Sequence, residues 1–313
     1  MIRVGVVFPG QGSQSVGMGK DLREGSAAAG RVFDEAGRLL DMDVADLCFR
    51  GPQERLSLTV FTQIAVLTVD IACWEALREA APVTPEVMAG HSLGEYAALY
   101  AAGAVTLDDV FPLVKARAEY HQRAVPVGVG AMAAIVGLTR ERVDAICREA
   151  SSPETVVALA LQNSPNQFVV SGHTPAVGAA VEMAAAAGAL QAVRLPISVP
   201  CHSRLLDPTA ALLAERLRTV TFKDAAVPVI PNCDPEIFYT RDRATALLTR
   251  QITSPVRWQE TVERMVALGV DTVVEVGPGR VLSGLSKRIH RGLKLLNVED
   301  AASLKKTADF LNS

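Results

Sequence analysis

The segment Gly90-His91-Ser92-Leu93-Gly94 sets a serine between two glycines in the G-x-S-x-G spacing of a nucleophile elbow. A serine on a sharp strand-to-helix turn has strained backbone angles, and small neighbours relieve the crowding. The helix N-terminus beneath it favours developing negative charge, and the backbone N–H of Leu93 is placed to donate to an oxyanion. The pattern alone is short enough to arise by chance, and a tight turn packing a helix on a sheet would look the same. Context favours chemistry: the apolar run Val87–Ala89 precedes it and Glu95-Tyr-Ala-Ala-Leu-Tyr-Ala-Ala102 follows.

Such a serine needs a general base at neutral pH, and five histidines are available. His91 adjoins Ser92, where neighbouring side chains diverge. His173 lies in a turn, His290 ends a helix, and His121 shares a helix with Arg117. His202 lies in the Pro-flanked loop Pro196–His202, which favours it only slightly over a solvated loop histidine. Arg117 follows Val110, Leu113 and Val114 on the apolar stripe of its helix, where an unpaired cation is costly. It calls for an anion: either a bound carboxylate, which its fork matches, or a structural salt bridge. Pro112 in the same helix predicts a start near Asp108 or a bend that shifts Arg117.

The elements that position these groups alternate. A strand over Arg3–Phe8 ends in Pro9-Gly-Gln-Gly-Ser-Gln14; Ser15 in place of a third glycine excludes a dinucleotide fingerprint. Helical spacing runs over Thr62–Glu79, from Ser92 onward, and over Asp108–Arg123. The middle of the chain reads strand Ala131–Leu138, helix Arg140–Ala150, strands Val156–Leu161 and Phe168–Gly172, a helix capped by Thr174 and reaching Ala187, and strand Gln191–Leu195. That β-α-β-β-α-β order is ferredoxin-like and predicts an inserted small subdomain over 127–196. The large subdomain, 1–126 and 197–313, resumes with helix Pro208–Leu217, strand Val227–Ile230, helices Ala244–Gln251 and Val256–Leu268, strand Thr272–Val276, helix Arg280–His290, strand Leu293–Val298 and helix Ala301–Leu311. It reads as a mostly parallel sheet flanked by helices, an α/β fold. Asp207, a tempting triad acid, is read as the cap of the helix at Pro208.

Phe8-Pro-Gly-Gln-Gly-Ser-Gln14, Gly90-His-Ser-Leu-Gly-Glu-Tyr96, Gly130-Ala-Met-Ala-Ala134 and Glu275-Val-Gly-Pro-Gly279 together resemble the malonyl-CoA:acyl carrier protein transacylases and the related acyltransferase domains of polyketide and fatty acid synthases, in order over residues 1–298. The resemblance implies an α/β-hydrolase-like large subdomain with the ferredoxin-like insert. It implies a Ser92–His202 dyad, His202 matching the end of a Ser-x-Pro-x-His segment at Ser198–His202, with the backbone carbonyl of Gln251 orienting the imidazole. The second oxyanion donor would be the backbone of Gln11, and Arg117 would hold the malonyl carboxylate. Met132 and Asn163 would line the acyl pocket, where Leu161 replaces an asparagine many relatives carry. Malonyl-CoA and acyl carrier protein are the implied partners, with no resident cofactor or metal. A polyketide or malonate-decarboxylase acyltransferase, a serine hydrolase acting on acyl thioesters and a non-catalytic carrier-binding module are the rivals.

Composition agrees. A net charge of −3 gives no basic surface for nucleic acid. The five cysteines are scattered, odd in number and without a CxxC pair, which fits a reducing compartment. No secretory signal or uncharged span of membrane length is visible, so a cytoplasmic monomer without membrane attachment is expected.

Overall fold

All five residues of β1 (Val4–Phe8) are buried. Val4, Val6 and Phe8 face one apolar cluster and Val7 faces another. A strand covered on both faces needs a continuous apolar run rather than an alternating one, and β1 has it. The structure, a computed structural model, describes residues 2–126, 128–197 and 199–313. The subdomain boundary at Val127 and the Ser198 that opens the Ser198–His202 segment lie outside the described residues.

The other strands among the described residues are β2 (Val87–Gly90), β3 (Gly130–Val136), β4 (Val157–Ser164), β5 (Gln167–His173), β6 (Gln191–Arg194), β7 (Val229–Ile230), β8 (Thr272–Val276) and β9 (Lys294–Val298). One sheet runs β7-β2-β1-β8-β9 and is parallel throughout. Phe8 pairs with Gly90, so the loops after β1 and β2 leave the same edge side by side. Strand order reverses around β1, and the crevice beyond the carboxyl ends there is where an open α/β sheet binds ligands.

The second sheet runs β4-β5-β3-β6 and is antiparallel. The Arg140–Glu149 and Thr174–Ala186 helices close its own core through Val143, Ile146, Val177 and Ala180. This is the ferredoxin-like order read from the sequence. Its β4 also touches the large subdomain: Val256 N–H donates to Ala160 O at 2.8 Å, and Gln162 N–H to Val256 O at 2.9 Å. That bridge keeps Val256 extended and delays the following helix to Trp258–Ala267.

Several further ends differ from the sequence expectation, and three of them have a local cause. The helix after the elbow begins at Gly94, because Ser92 has φ 52° and cannot join it. His173, not Thr174, stands at the N-cap of Thr174–Ala186. Asp207 is the exposed first residue of Asp207–Leu217 and makes no capping bond, because a short 3₁₀ turn at Arg204–Leu206 leads straight into that helix.

The Thr59–Ala80 helix is long and apolar enough to cross a membrane, yet its most apolar window is 83% buried within the fold. It is a core helix, and its polar Gln63 and Asp70 are buried with it.

Candidate active site

The glycines of the elbow are required by contact. A Cβ on Gly90 would lie 1.9 Å from the Gly94 carbonyl carbon, and one on Gly94 would lie 2.1 Å from Phe8 O. Strand, turn and helix therefore meet closer than any side chain permits, which drives Ser92 out into the crevice. Three non-glycine residues among those described have positive φ: Asp41 at a helix end, Ser92 (52°) and His202 (58°). Backbone strain is thus concentrated on two residues that face each other.

Ser92 Oγ lies 2.8 Å from His202 Nε2. His202 Nδ1 lies 2.9 Å from Gln251 O and 3.1 Å from Ser254 O. Carbonyls only accept, so Nδ1 carries the proton and Nε2 presents its lone pair to the serine. Burial, then the positive charge of Arg117, push the His202 pKa down to about 3, against the two carbonyls that raise it. The imidazole is a neutral base at any ordinary pH. Asp207 plays no part, and among the described residues no carboxylate takes the third position.

The other four histidines are elsewhere. His91 Nε2 lies 2.9 Å from Asn163 Oδ1, with its ring 5.5 Å from that of Trp258. His121 Nδ1 lies 2.8 Å from Arg117 O. His173 Nδ1 accepts from Val156 N–H at 3.0 Å, and His290 is exposed at a helix end.

The loop after β1 lies against the elbow. A Cβ on Gly10 would fall 2.3 Å from His91 O and 3.6 Å from Leu93 N. The backbone N–H groups of Leu93 and Gln11 have no acceptor among the described residues. They are therefore free to bind a developing oxyanion. The Gln11 side chain is tied back to Thr59 at 3.2 Å.

Arg117 is buried, 3% exposed. Its helix runs Leu107–Gln122, capped by the Thr106 side chain, and Pro112 sits inside it without moving Arg117 off the face of Val110, Leu113 and Val114. One guanidinium nitrogen donates to Gln63 Oε1; the other lies 3.3 Å from both Ser92 Oγ and Gln251 Oε1. The Tyr96 ring lies 5.4 Å away, and Nε has no partner among the described residues. Among the described residues no carboxylate comes within 4.0 Å. Among the described residues no structural salt bridge explains this buried cation, and a cation so placed beside the nucleophile can accept an anion.

Met132 is buried with Ala160 and Val169, against the partly buried Leu161, Ile197 and Cys201. Leu161 bridges to Val256 through the backbone, and Asn163 is held by His91.

An acyl transferase domain family matches residues 6–307. The chain belongs to that family. Among its curated relatives, the malonyl CoA-acyl carrier protein transacylase of Bacillus subtilis is 43% identical over 305 residues, covering 97% of this chain and 96% of the relative. That of Escherichia coli K12 is 43% identical over 289 residues, 92% and 93% of the two chains. The solved transacylase of Coxiella burnetii superposes with a TM-score of 0.97 at 40% identity, covering 100% and 98%. A malonyl-transacylase solved with its type II PKS acyl-carrier protein gives 0.95 at 40% identity, covering 98% and 99%.

The acyl transferase site also contains residues that the sequence did not single out. Asn232, just past β7, accepts from Ser92 N–H at 2.6 Å and donates to Gly90 O at 2.7 Å, clamping the elbow. Glu95 is fully buried and bonded to Tyr239, to Asn232 N–H and to the Gln251 amide. Gln251 Nε2 also donates to Ser92 O at 2.9 Å. Asn232 had a signal, a polar residue at the carboxyl end of a parallel strand. Gln63 and Ser254 had none, since each matters only through what it meets in space.

Proposed function

We propose that this acyl transferase moves malonyl groups from malonyl-CoA to the phosphopantetheine thiol of acyl carrier protein through a malonyl-Ser92 ester, supplying fatty acid biosynthesis. The observation that carries the substrate is Arg117, a buried cation 3.3 Å from the Ser92 hydroxyl and without an anionic partner among the described residues. A free acyl carboxylate on its fork sets the thioester carbonyl against Ser92.

His202 Nε2 takes the Ser92 proton as Oγ attacks the carbonyl carbon. The oxyanion sits on the N–H groups of Leu93 and Gln11. As the tetrahedral adduct collapses, the C–S bond breaks and His202 returns the proton to the departing CoA sulfur. The carrier thiol then gives its proton to His202, attacks the ester and expels Ser92 Oγ, which takes the proton back. A thiol with a pKa near 8.5 leaves without strong acid assistance, so a neutral imidazole held by carbonyls suffices. The thioester arrives activated, and the scheme calls for no metal or resident cofactor. The protein is read as a cytoplasmic monomer acting on dissolved substrates.

Intact mass after mixing with malonyl-CoA tests the scheme. A malonyl adduct on Ser92 should persist in buffer and disappear on adding holo carrier protein; rapid discharge to water would make the protein a hydrolase. The likeness to the malonyl-transacylase solved with a type II PKS carrier supports a polyketide reading as well, and discharge rates with fatty acid and polyketide carriers decide between the pathways.

A further inference from the structure

Among the described residues Arg117 has no carboxylate in contact, but it does have one at one remove. Its Nη2 lies 3.3 Å from Gln251 Oε1, and Gln251 Nε2 donates to Glu95 Oε2 at 2.7 Å. Both ends of this relay are buried, Glu95 at 0% exposed and Arg117 at 3%. Glu95 is on the first turn after the nucleophile, so one amide links the acyl-group cation, the dyad and a buried acid.

An incoming acyl carboxylate changes the charge count. With Glu95 ionised, the free pocket holds one cation and one anion. A second anion on Arg117 would leave an uncompensated buried negative charge, which is expensive. We propose that Glu95 is the resident counter-ion of Arg117 and takes up a proton from solvent when an acyl carboxylate occupies the guanidinium, so that anionic acyl groups bind together with a proton. This rests on the reading that Arg117 receives the carboxylate.

The groups around Glu95 leave it alone in this role. Burial pushes the Cys233 thiol and the Tyr96 phenol up to about 12, and Tyr239 well above its ordinary value. Burial drives His91, His121 and His202 down, so they are neutral at pH 7. Glu95 is raised by burial to about 7, held from rising further by Tyr239, the Asn232 N–H, Gln251 and then Arg117. When a carboxylate neutralises Arg117, its restraint on Glu95 is relieved and the Glu95 pKa climbs.

The test is calorimetric binding to the Ser92→Ala variant, which cannot be acylated, in two buffers of different ionisation enthalpy at pH 8. Malonyl-CoA should bind with uptake of a proton fraction approaching one, and acetyl-CoA, identical but for the carboxylate, with none. From pH 7 upward the malonyl-CoA Kd should weaken by up to about tenfold per pH unit, while acetyl-CoA follows no such slope. The Glu95→Gln change on the same background should abolish both the uptake and the slope. Equal apparent heats for malonyl-CoA in the two buffers would overturn the proposal without any Glu95 variant. Adding Arg117→Ala separates the two ideas. If malonyl-CoA affinity ignores Arg117, the carboxylate-receptor reading fails. If it depends on Arg117 but no proton is taken up, the Glu95 role alone fails.

Discussion

The Gln251 carbonyl lies 2.9 Å from His202 Nδ1, while the side-chain amide of the same residue contacts Ser92, Glu95 and Arg117. One residue therefore orients the base through its backbone and organises the acyl site through its side chain. Gln251→Ala separates these functions, since the carbonyl survives. His202 should stay oriented and the Ser92 acylation should slow by roughly ten- to hundredfold, the effect of losing one to three kcal/mol of buried hydrogen bonding. His202→Ala should cost far more, roughly a thousandfold or more, as base catalysis is lost. Single-turnover acylation rates from malonyl-CoA distinguish the two; equal losses would show that the carbonyl cannot act without the amide.

Arg117→Ala should reduce malonyl transfer by roughly a hundredfold or more, the order expected when one partner of a buried charged pair is removed. Acetyl transfer should be retained or improve, because no carboxylate then needs a partner. Arg117→Lys should fall between, since an ammonium offers no fork. Paired kcat/KM values for malonyl-CoA and acetyl-CoA measure this, and parallel losses would assign Arg117 a purely structural role.

His202, with its pKa depressed to about 3 by burial and by Arg117, should remain an active base down to pH 5. With acetyl-CoA, which draws no proton onto Glu95, acylation kcat/KM should therefore show no ionisation near the ordinary imidazole value of about 6.5. The same depression has a stability consequence of definite sign. The unfolded state binds the proton first as pH falls, so stability is full above about 6.5 and is lost progressively toward about 3. Thermal unfolding of wild type against His202→Gln, from pH 7.5 to 4.5, should show the wild type losing ground as pH falls. A constant difference would contradict the neutral buried imidazole.

Asn232→Ala should loosen the elbow, because Ser92 N–H and Gly90 O both lose their partner. We expect about 2 kcal/mol of destabilisation, the cost of unpaired buried backbone groups, with a kcat loss and little change in KM. Denaturant unfolding and steady-state kinetics measure the two effects. A KM effect without a kcat effect would place Asn232 in substrate binding instead.

Local periodicity made much of the architecture readable. β1 is an apolar run because both faces are covered, and the β-α-β-β-α-β order from Gly130 to Arg194 follows from alternating strand and helix patterns. Ends were less readable, because they answer to distant contacts: Val256 stays extended by pairing with β4, and the elbow helix starts late because of the Ser92 backbone.

By itself the sequence determined where a tight strand-to-helix turn could form, since Gly90 and Gly94 flank Ser92 where no side chain fits, and it marked Arg117 as a cation on an apolar face. The histidine was a weaker matter: the Pro-flanked loop favoured His202 only slightly and the family resemblance picked it out, while the tertiary structure set it against a serine 110 residues away. Only the tertiary structure decided that, among the described residues, no carboxylate contacts Arg117 and Glu95 stands behind it through Gln251. Charge compensation is a matter of distance and burial, and neither is encoded in the neighbours along the chain.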